Sequence, residues 1–244
     1  MPEPVAIDLG FIQIRWYGIM AAATVLGGLK LGRYWASYFS LDPDTFDSIA
    51  LVCIPSWIIG ARAAYVLANY SYYTGRPWDM FRISQGGLAS QGGLLLTFVV
   101  AWLSARFKNI SFWALTDSLA PSFAMGHIFI RLGNFANGEL CGAPTGLPWG
   151  MVFPGTFEPR HPSMLYEGVG AVLVLALSIV WAQRRRFEGE VFLKTLIAIS
   201  ALRFLVDFTR ELPHGHKLAV SQIVALAYVA IGLGLLYRHC KTSV

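Results

Sequence analysis

Residues 163–183 read "SMLYEGVGAVLVLALSIVWAQ", and after Glu167 no charged side chain follows until Arg184. A bilayer core about 30 Å thick takes roughly 20 mostly apolar residues of α-helix, which is the length of this run. Barrel strands would be shorter and would alternate in polarity, so the run predicts a membrane helix. Working outward, comparable runs occupy approximately 16–36, 46–68, 86–105, 112–132, 189–207 and 218–238. The expected fold is therefore an all-α integral membrane protein of seven transmembrane helices. Composition agrees: the 244 residues are 55% hydrophobic and 14% charged, whereas soluble domains carry about one quarter charged residues. The first run lacks a short apolar region followed by a small-residue cleavage site, and is read as a retained span. Trp16, Tyr17, Tyr72, Tyr73, Trp78 and Trp149 cluster near run ends, as interfacial belts do.

The net charge of +5 is unevenly spread. Lys30 and Arg33 follow the first run, Arg106 and Lys108 the third, Arg184, Arg185 and Arg186 the fifth, Arg238 and Lys241 the seventh. The other side mixes basic residues (Arg76, Arg82, Arg160, Arg210, Lys217) with acids and longer aromatic loops. The positive-inside rule puts the N-terminus outside and the C-terminus in the cytoplasm. The excess charge thus reads as topology, not as a nucleic-acid surface. Cys53, Cys141 and Cys240 lie far apart, without metal-type spacing or a disulfide framework, and neither metal nor cofactor is expected. A single transmembrane domain over residues 1–244 follows. Its Gly- and Pro-rich segment 133–162 is expected to form a small outward-facing head, flanked on the same side by loops 69–85 and 208–217.

Ionisable groups within apolar runs are costly, by about 2.5–3.5 kcal/mol each, and so are candidate functional groups. Arg62 in "GARAAYV" is either an interfacial anchor or a ligand contact. Asp117 stands near Pro121 and either satisfies backbone groups freed by a kink or serves function; His127 reads as a packing residue. In "RLGNFANGEL" (131–140), Arg131 and Asn134 are three apart and share a helix face. Nearby glycines allow close backbone approach, and a guanidinium fork suits phosphate. Arg203 and Asp207 lie four apart in "LRFLVDFTRE", either as an intramembrane ion pair or as a second cationic contact oriented by Asp207. Two arginines from different spans can converge on one phosphate, as a phospholipid headgroup site requires. In "RHPSMLYEG" (160–168), Ser163 is placed to cap a helix, and His161 and Glu167 to support the site.

At this point the residues resemble a known family. "GHIFIRLGNFANGELCG" is similar to the signature of bacterial prolipoprotein diacylglyceryl transferases, and "IRWYGIM", "GARAAYV", "GGLASQGG", "PWGMVFP", "RHPSMLYE" and "RFLVDFTRE" follow in family order. The resemblance implies seven spans in the bacterial cytoplasmic (inner) membrane. It also implies transfer of diacylglyceryl from phosphatidylglycerol to the lipobox cysteine thiol of a preprolipoprotein signal peptide. It assigns the phosphate to Arg131 with Arg203, a catalytic place to Glu139, and headgroup or substrate contacts to Asn134, Asn137, Gly142, Tyr17, Gln91, Asp207, Arg62, His161 and Glu167. Membrane lipids are the surroundings, and no nucleic acid is involved.

Five positions depart from the family pattern, among them Asp207, which stands where a glutamate is usual. Gln91 stands where a histidine is usual, Ile199 where a tyrosine is usual and Cys141 where a tryptophan is usual; Arg15, not histidine, precedes "WYG". Glutamine accepts no proton, so Glu139 or His161 becomes the candidate base, or the thiol ionises unassisted beside the arginines. The departures also leave open a divergent paralogue that binds phosphatidylglycerol but uses another acceptor, or only binds it.

Overall fold

The computed structural model describes residues 4–10, 13–82, 86–211 and 219–242. An N-terminal antiparallel hairpin, β1 (Val5–Asp8) and β2 (Gln13–Arg15), leads directly into α1 (Trp16–Tyr38). Then come α2 (Pro43–Ala68), the single turn α3 (Tyr70–Tyr73), α4 (Ser90–Phe107), α5 (Phe112–Asn137), α6 (Ser163–Gln183), α7 (Glu190–Val206) and α8 (Val220–Thr242). Each of the seven predicted runs coincides with one long helix, within a few residues at each end. By length and composition, Pro43–Ala68, Ser163–Gln183 and Val220–Lys241 are apolar enough to cross a membrane, with hydropathies of 1.7, 1.9 and 1.9. The chain is thus an α-helical membrane protein with several apolar helices.

Its burial pattern suits lipid. Leu26, Leu51, Leu95, Val169 and Leu205 face outward, while Ala61, Ala105, Ala124, Ala171 and Ala182 and many polar groups lie inside. Lipid tails give no hydrophobic reason to bury leucine, so helix contacts in membranes select small residues and paired polar ones.

The chain folds as two compact units, Ala36–Leu115 and the remainder, Met1–Trp35 with Thr116–Val244. In the first, α2 starts at Asp42, whose carboxylate accepts the Thr45 backbone N–H at 2.8 Å, with Pro43 pre-set for the first turn. Gly60 of α2 meets Gly92 of α4 so closely that a Cβ on either would strike backbone. This close crossing is what the small residues allow.

In the second unit, Asp117 of α5 answers one of the sequence alternatives. Its carboxylate accepts the N–H of Gly189 at 2.7 Å and of Phe192 at 2.8 Å, and Arg185 sits at 3.3 Å. It therefore satisfies the orphan donors at the start of α7, not groups freed around Pro121. Ser163 departs from its expected capping role: Pro162 holds the N-cap of α6, and the Ser163 hydroxyl is 2.6 Å from that of Thr209. Ile199 is buried against Ala124 and Val174, where aliphatic packing replaces any tyrosine hydroxyl.

Candidate functional site

The site grows from the end of α5. Helix continues to Asn137, so the irregular segment begins at Gly138, five residues later than expected at 133. Gly138 has φ +68°, and the chain turns back with Gly138 N–H to Phe135 O at 3.0 Å and Glu139 N–H to Asn134 O at 2.9 Å. These paired bonds are the Schellman closure of a helix, and a left-handed φ favours glycine there. The turn brings the exposed Glu139 over two side chains of the helix it has just left. Asn134 Nδ2 donates to Glu139 Oε2 at 3.3 Å, and Asn137 Nδ2 donates to Oε1 at 3.1 Å. Asn137 Oδ1 has no hydrogen-bond partner among the described residues.

One turn earlier, Arg131 Nη1 donates to Asn134 Oδ1 at 3.1 Å, as the three-residue spacing predicts. Its Nε lies 2.6 Å from Glu167 Oε2 on α6. Gly168 lies beside Arg131, where a Cβ would stand in ordinary van der Waals contact at 3.6 Å. Glu167 is fully buried and gathers further partners: His127 Nε2 at 3.2 Å, Arg210 Nη2 at 2.6 Å and Arg203 Nη1 at 3.8 Å. Asp207, equally buried, stands 3.3 Å from Arg210 Nε and 4.0 Å from Arg203 Nε, and its oxygens accept no hydrogen bond among the described residues. Three guanidiniums and two carboxylates thus share one cluster built from α5, α6, α7 and the turn Asp207–Thr209 with Arg210 just after it.

The segment after Gly138 closes beside this cluster. Gly142 N–H donates to His161 O at 2.7 Å, and Ala143 N–H to Thr209 O at 2.8 Å. A Cβ on Gly142 would strike the Thr209 carbonyl, the Ser163 hydroxyl and His161, so its role here is close packing. Arg160 bonds the Gly142 carbonyl at 3.1 Å and Glu211 at 2.9 Å. The hydrogen bond to Glu211 holds its guanidinium above the ordinary value. His161 Nδ1 lies 3.3 Å from the Tyr166 hydroxyl, which also accepts from Trp149 Nε1 at 2.9 Å. Tyr17, at the first turn of α1, lies over Gly133, where a Cβ would stand 3.0 Å from its ring.

Arg62 and Gln91 belong to the other unit. Arg62 is buried and spends all five N–H donors on backbone carbonyls: Met80, Gly86, Gly87, Asp79 and Arg82, at 2.6–3.3 Å. Rings of Tyr65 and Tyr73 flank it at 5.8 and 5.7 Å. Its structural work is to hold the loop between α3 and α4, and a cavity of about 250 Å³ opens beside it among Tyr65, Asn69, Tyr72 and Asp79. Gln91 is exposed in the first turn of α4, with its Oε1 3.4 Å from Ser90 Oγ. Of the third outer loop expected at 208–217, residues 212–217 lie outside the described residues. Arg210 was read from sequence only as a scattered basic residue. Its spacing of three from Asp207 was the available signal.

The fold and the site define a helical membrane protein in which buried carboxylates hold arginines together beside an Asn–Asn–Glu cluster. The family described as prolipoprotein diacylglyceryl transferase matches residues 4–238. A Nitratidesulfovibrio vulgaris (strain Miyazaki F) protein named phosphatidylglycerol–prolipoprotein diacylglyceryl transferase is 38% identical, covering 97% of this chain and 94% of its own. Proteins of the same name from Nostoc sp. (35% identical; 98% and 90% covered) and Bordetella avium (39%; 86% and 82%) are similar too. The chain belongs to the prolipoprotein diacylglyceryl transferase family.

Proposed function

We propose that this protein is a phosphatidylglycerol–prolipoprotein diacylglyceryl transferase of the bacterial inner membrane. In this reading seven helices span the bilayer within a single transmembrane domain, with the N-terminus outside and the C-terminus in the cytoplasm. Residues 133–162 form the outward head, in which α5 contributes the first turn. The observation that carries the reading is the convergence of Arg131, Arg203 and Arg210 around Glu167, with Asn134 one helix turn from Arg131 and bonded to Glu139.

The lipobox cysteine sulfur attacks the glycerol carbon that bears the phosphate. A C–S bond forms, the C–O bond to phosphate breaks, and glycerol phosphate leaves with the electron pair. Charge therefore accumulates on the departing phosphate oxygens. Preplaced guanidiniums stabilise such charge, an effect worth about 10²–10³ in rate per donor in comparable sites. Arg203 is the most open of the three, with 34% of its side chain exposed against 8% for Arg131. Arg203 makes the outer contact to the phosphate, and Arg131 the inner one. The free Asn137 Oδ1 accepts a headgroup hydroxyl. Glu139, exposed and held by two asparagine amides, takes the thiol proton that Gln91 cannot. Tyr17 and His161 shape the entrance around the headgroup, closely packed at Gly142, while Arg62 holds the loop of its own unit.

Complementation tests the reading. The gene should restore lipoprotein maturation and growth to a bacterium depleted of its own transferase, and its Arg131→Ala variant should not. Failure of the wild-type protein, once shown to be inserted in the membrane, would overturn it.

A further inference from the structure

Glu167 has no exposed surface, and both of its oxygens are taken. Oε1 meets Arg210 at 2.6 Å, while Oε2 meets Arg131 at 2.6 Å, His127 at 3.2 Å and Arg203 at 3.8 Å. A carboxylate so enclosed cannot touch a ligand. It can determine how much charge the ligand meets. The formal charges of Arg131, Arg203 and Arg210 against those of Glu167 and Asp207 sum to one net positive, to which His127 adds only when protonated. Side-chain exposure rises from Arg131 (8%) through Arg210 (18%) to Arg203 (34%), so the surplus charge is offered at one end. Among the described residues Glu139 touches the cluster only through Asn134, and it is itself exposed.

We propose that Glu167 is a positioning residue that holds the headgroup site at one net positive charge. Coulomb attraction scales with the charge of the ligand, so a positive charge withheld from the site weakens the hold on a phosphate monoester dianion about twice as much as on a phosphodiester monoanion. The inference rests on the proposed reaction, in which the lipid donor is a phosphodiester and the product a monoester. At neutral pH a monoester carries about −1.5 to −2 charges against one for the diester. A site with two net positive charges would widen the preference for product over substrate. With one, that preference is narrower, and the product anion leaves faster than a site of two net positive charges would let it. Glu167 also keeps the three guanidiniums, which come from separate elements, within reach of a single phosphate despite their mutual repulsion.

The test is binding of glycerol phosphate to purified protein in detergent, read by calorimetry, for wild type, Glu167→Gln, Arg210→Gln and the double variant. Transfer kinetics and thermal unfolding are measured on the same samples. Glu167→Gln is expected to bind glycerol phosphate on the order of tenfold more tightly, the scale of one extra charge at a few ångströms in a partly screened site. Its kcat should fall without a rise in KM. Arg210→Gln should bind it more weakly by a similar factor, and the double variant, with the wild-type charge balance restored, should return near wild type. A merely structural Glu167 would weaken binding and raise KM together, and that result in folded protein overturns the proposal. So does a double variant that binds no closer to wild type than either single one. Should Glu167→Gln fail to fold, unchanged affinity in Arg210→Gln overturns it alone. Wild-type protein that binds glycerol phosphate in this order of variants yet transfers nothing refutes the reaction and leaves the charge-setting role standing.

Discussion

Replacing Arg131 by alanine removes two contacts at once, the 2.6 Å approach to Glu167 and the 3.1 Å bond to Asn134. Deleting one partner of a buried ion pair costs about 3–5 kcal/mol when the other charge is stranded. Glu167 is not stranded here, because Arg210 remains at 2.6 Å and His127 at 3.2 Å. The expected stability loss is therefore at or below the low end of that range, about 2–3 kcal/mol. Catalysis should suffer more. Losing one donor to charge that develops in the transition state costs about 10²–10³ in kcat, or roughly 2.7–4 kcal/mol. Freed from Arg131, Asn134 also loses the bond that helps to aim Glu139. Arg131→Lys keeps the charge but not the fork, and should lose an intermediate amount, on the order of tenfold. The assay is the initial rate of diacylglyceryl transfer to a lipobox peptide in mixed micelles, with thermal unfolding on the same preparation. An Arg131→Ala protein that turns over within threefold of wild type while folded would refute the role given to this arginine.

Arg62→Ala should act on stability first: five carbonyls lose their donor, and the unfolding temperature in detergent should drop steeply, with activity lost in proportion to folded protein. A normal unfolding temperature with abolished turnover would instead make Arg62 a substrate contact. Gly142→Ala should cripple transfer and lower the unfolding temperature, since the added methyl meets the Thr209 carbonyl and Ser163; unchanged values for both would contradict the packing. Asp117→Asn should cost about 1–3 kcal/mol of stability through its weakened bonds to the start of α7. Its transfer rate, measured well below the unfolding temperature, should stay close to wild type.

Helix positions were legible because a bilayer demands a fixed length of apolar residues, and long helices stand at all seven runs. The Arg131–Asn134 pair was legible for a similar reason, since helix geometry alone makes residues three apart neighbours. Glu167 was harder. It meets Arg131, His127 and Arg210 from other elements, and no local period encodes such pairings. Asp117 likewise finds its partners 72 and 75 residues away, at the start of another helix. From sequence Arg62 reads as either an interfacial anchor or a ligand contact. A loop of carbonyls satisfied it instead, and a loop's path is not written in periodicity. Gly142 falls at a signature position, but its crowding by Thr209 and Ser163 emerges only once the chain has closed.

The central claim is that the arginine cluster holds a phospholipid phosphate while the diacylglyceryl group moves to a thiol. Incubating purified protein with phosphatidylglycerol of one defined pair of acyl chains and a lipobox peptide, then weighing the peptide by mass spectrometry, tests it most directly. The account predicts a peptide heavier by that one diacylglyceryl unit, with an equal amount of glycerol phosphate released. Phosphatidylglycerol consumed without a heavier peptide, or a peptide that gains nothing while the protein remains folded, would contradict it.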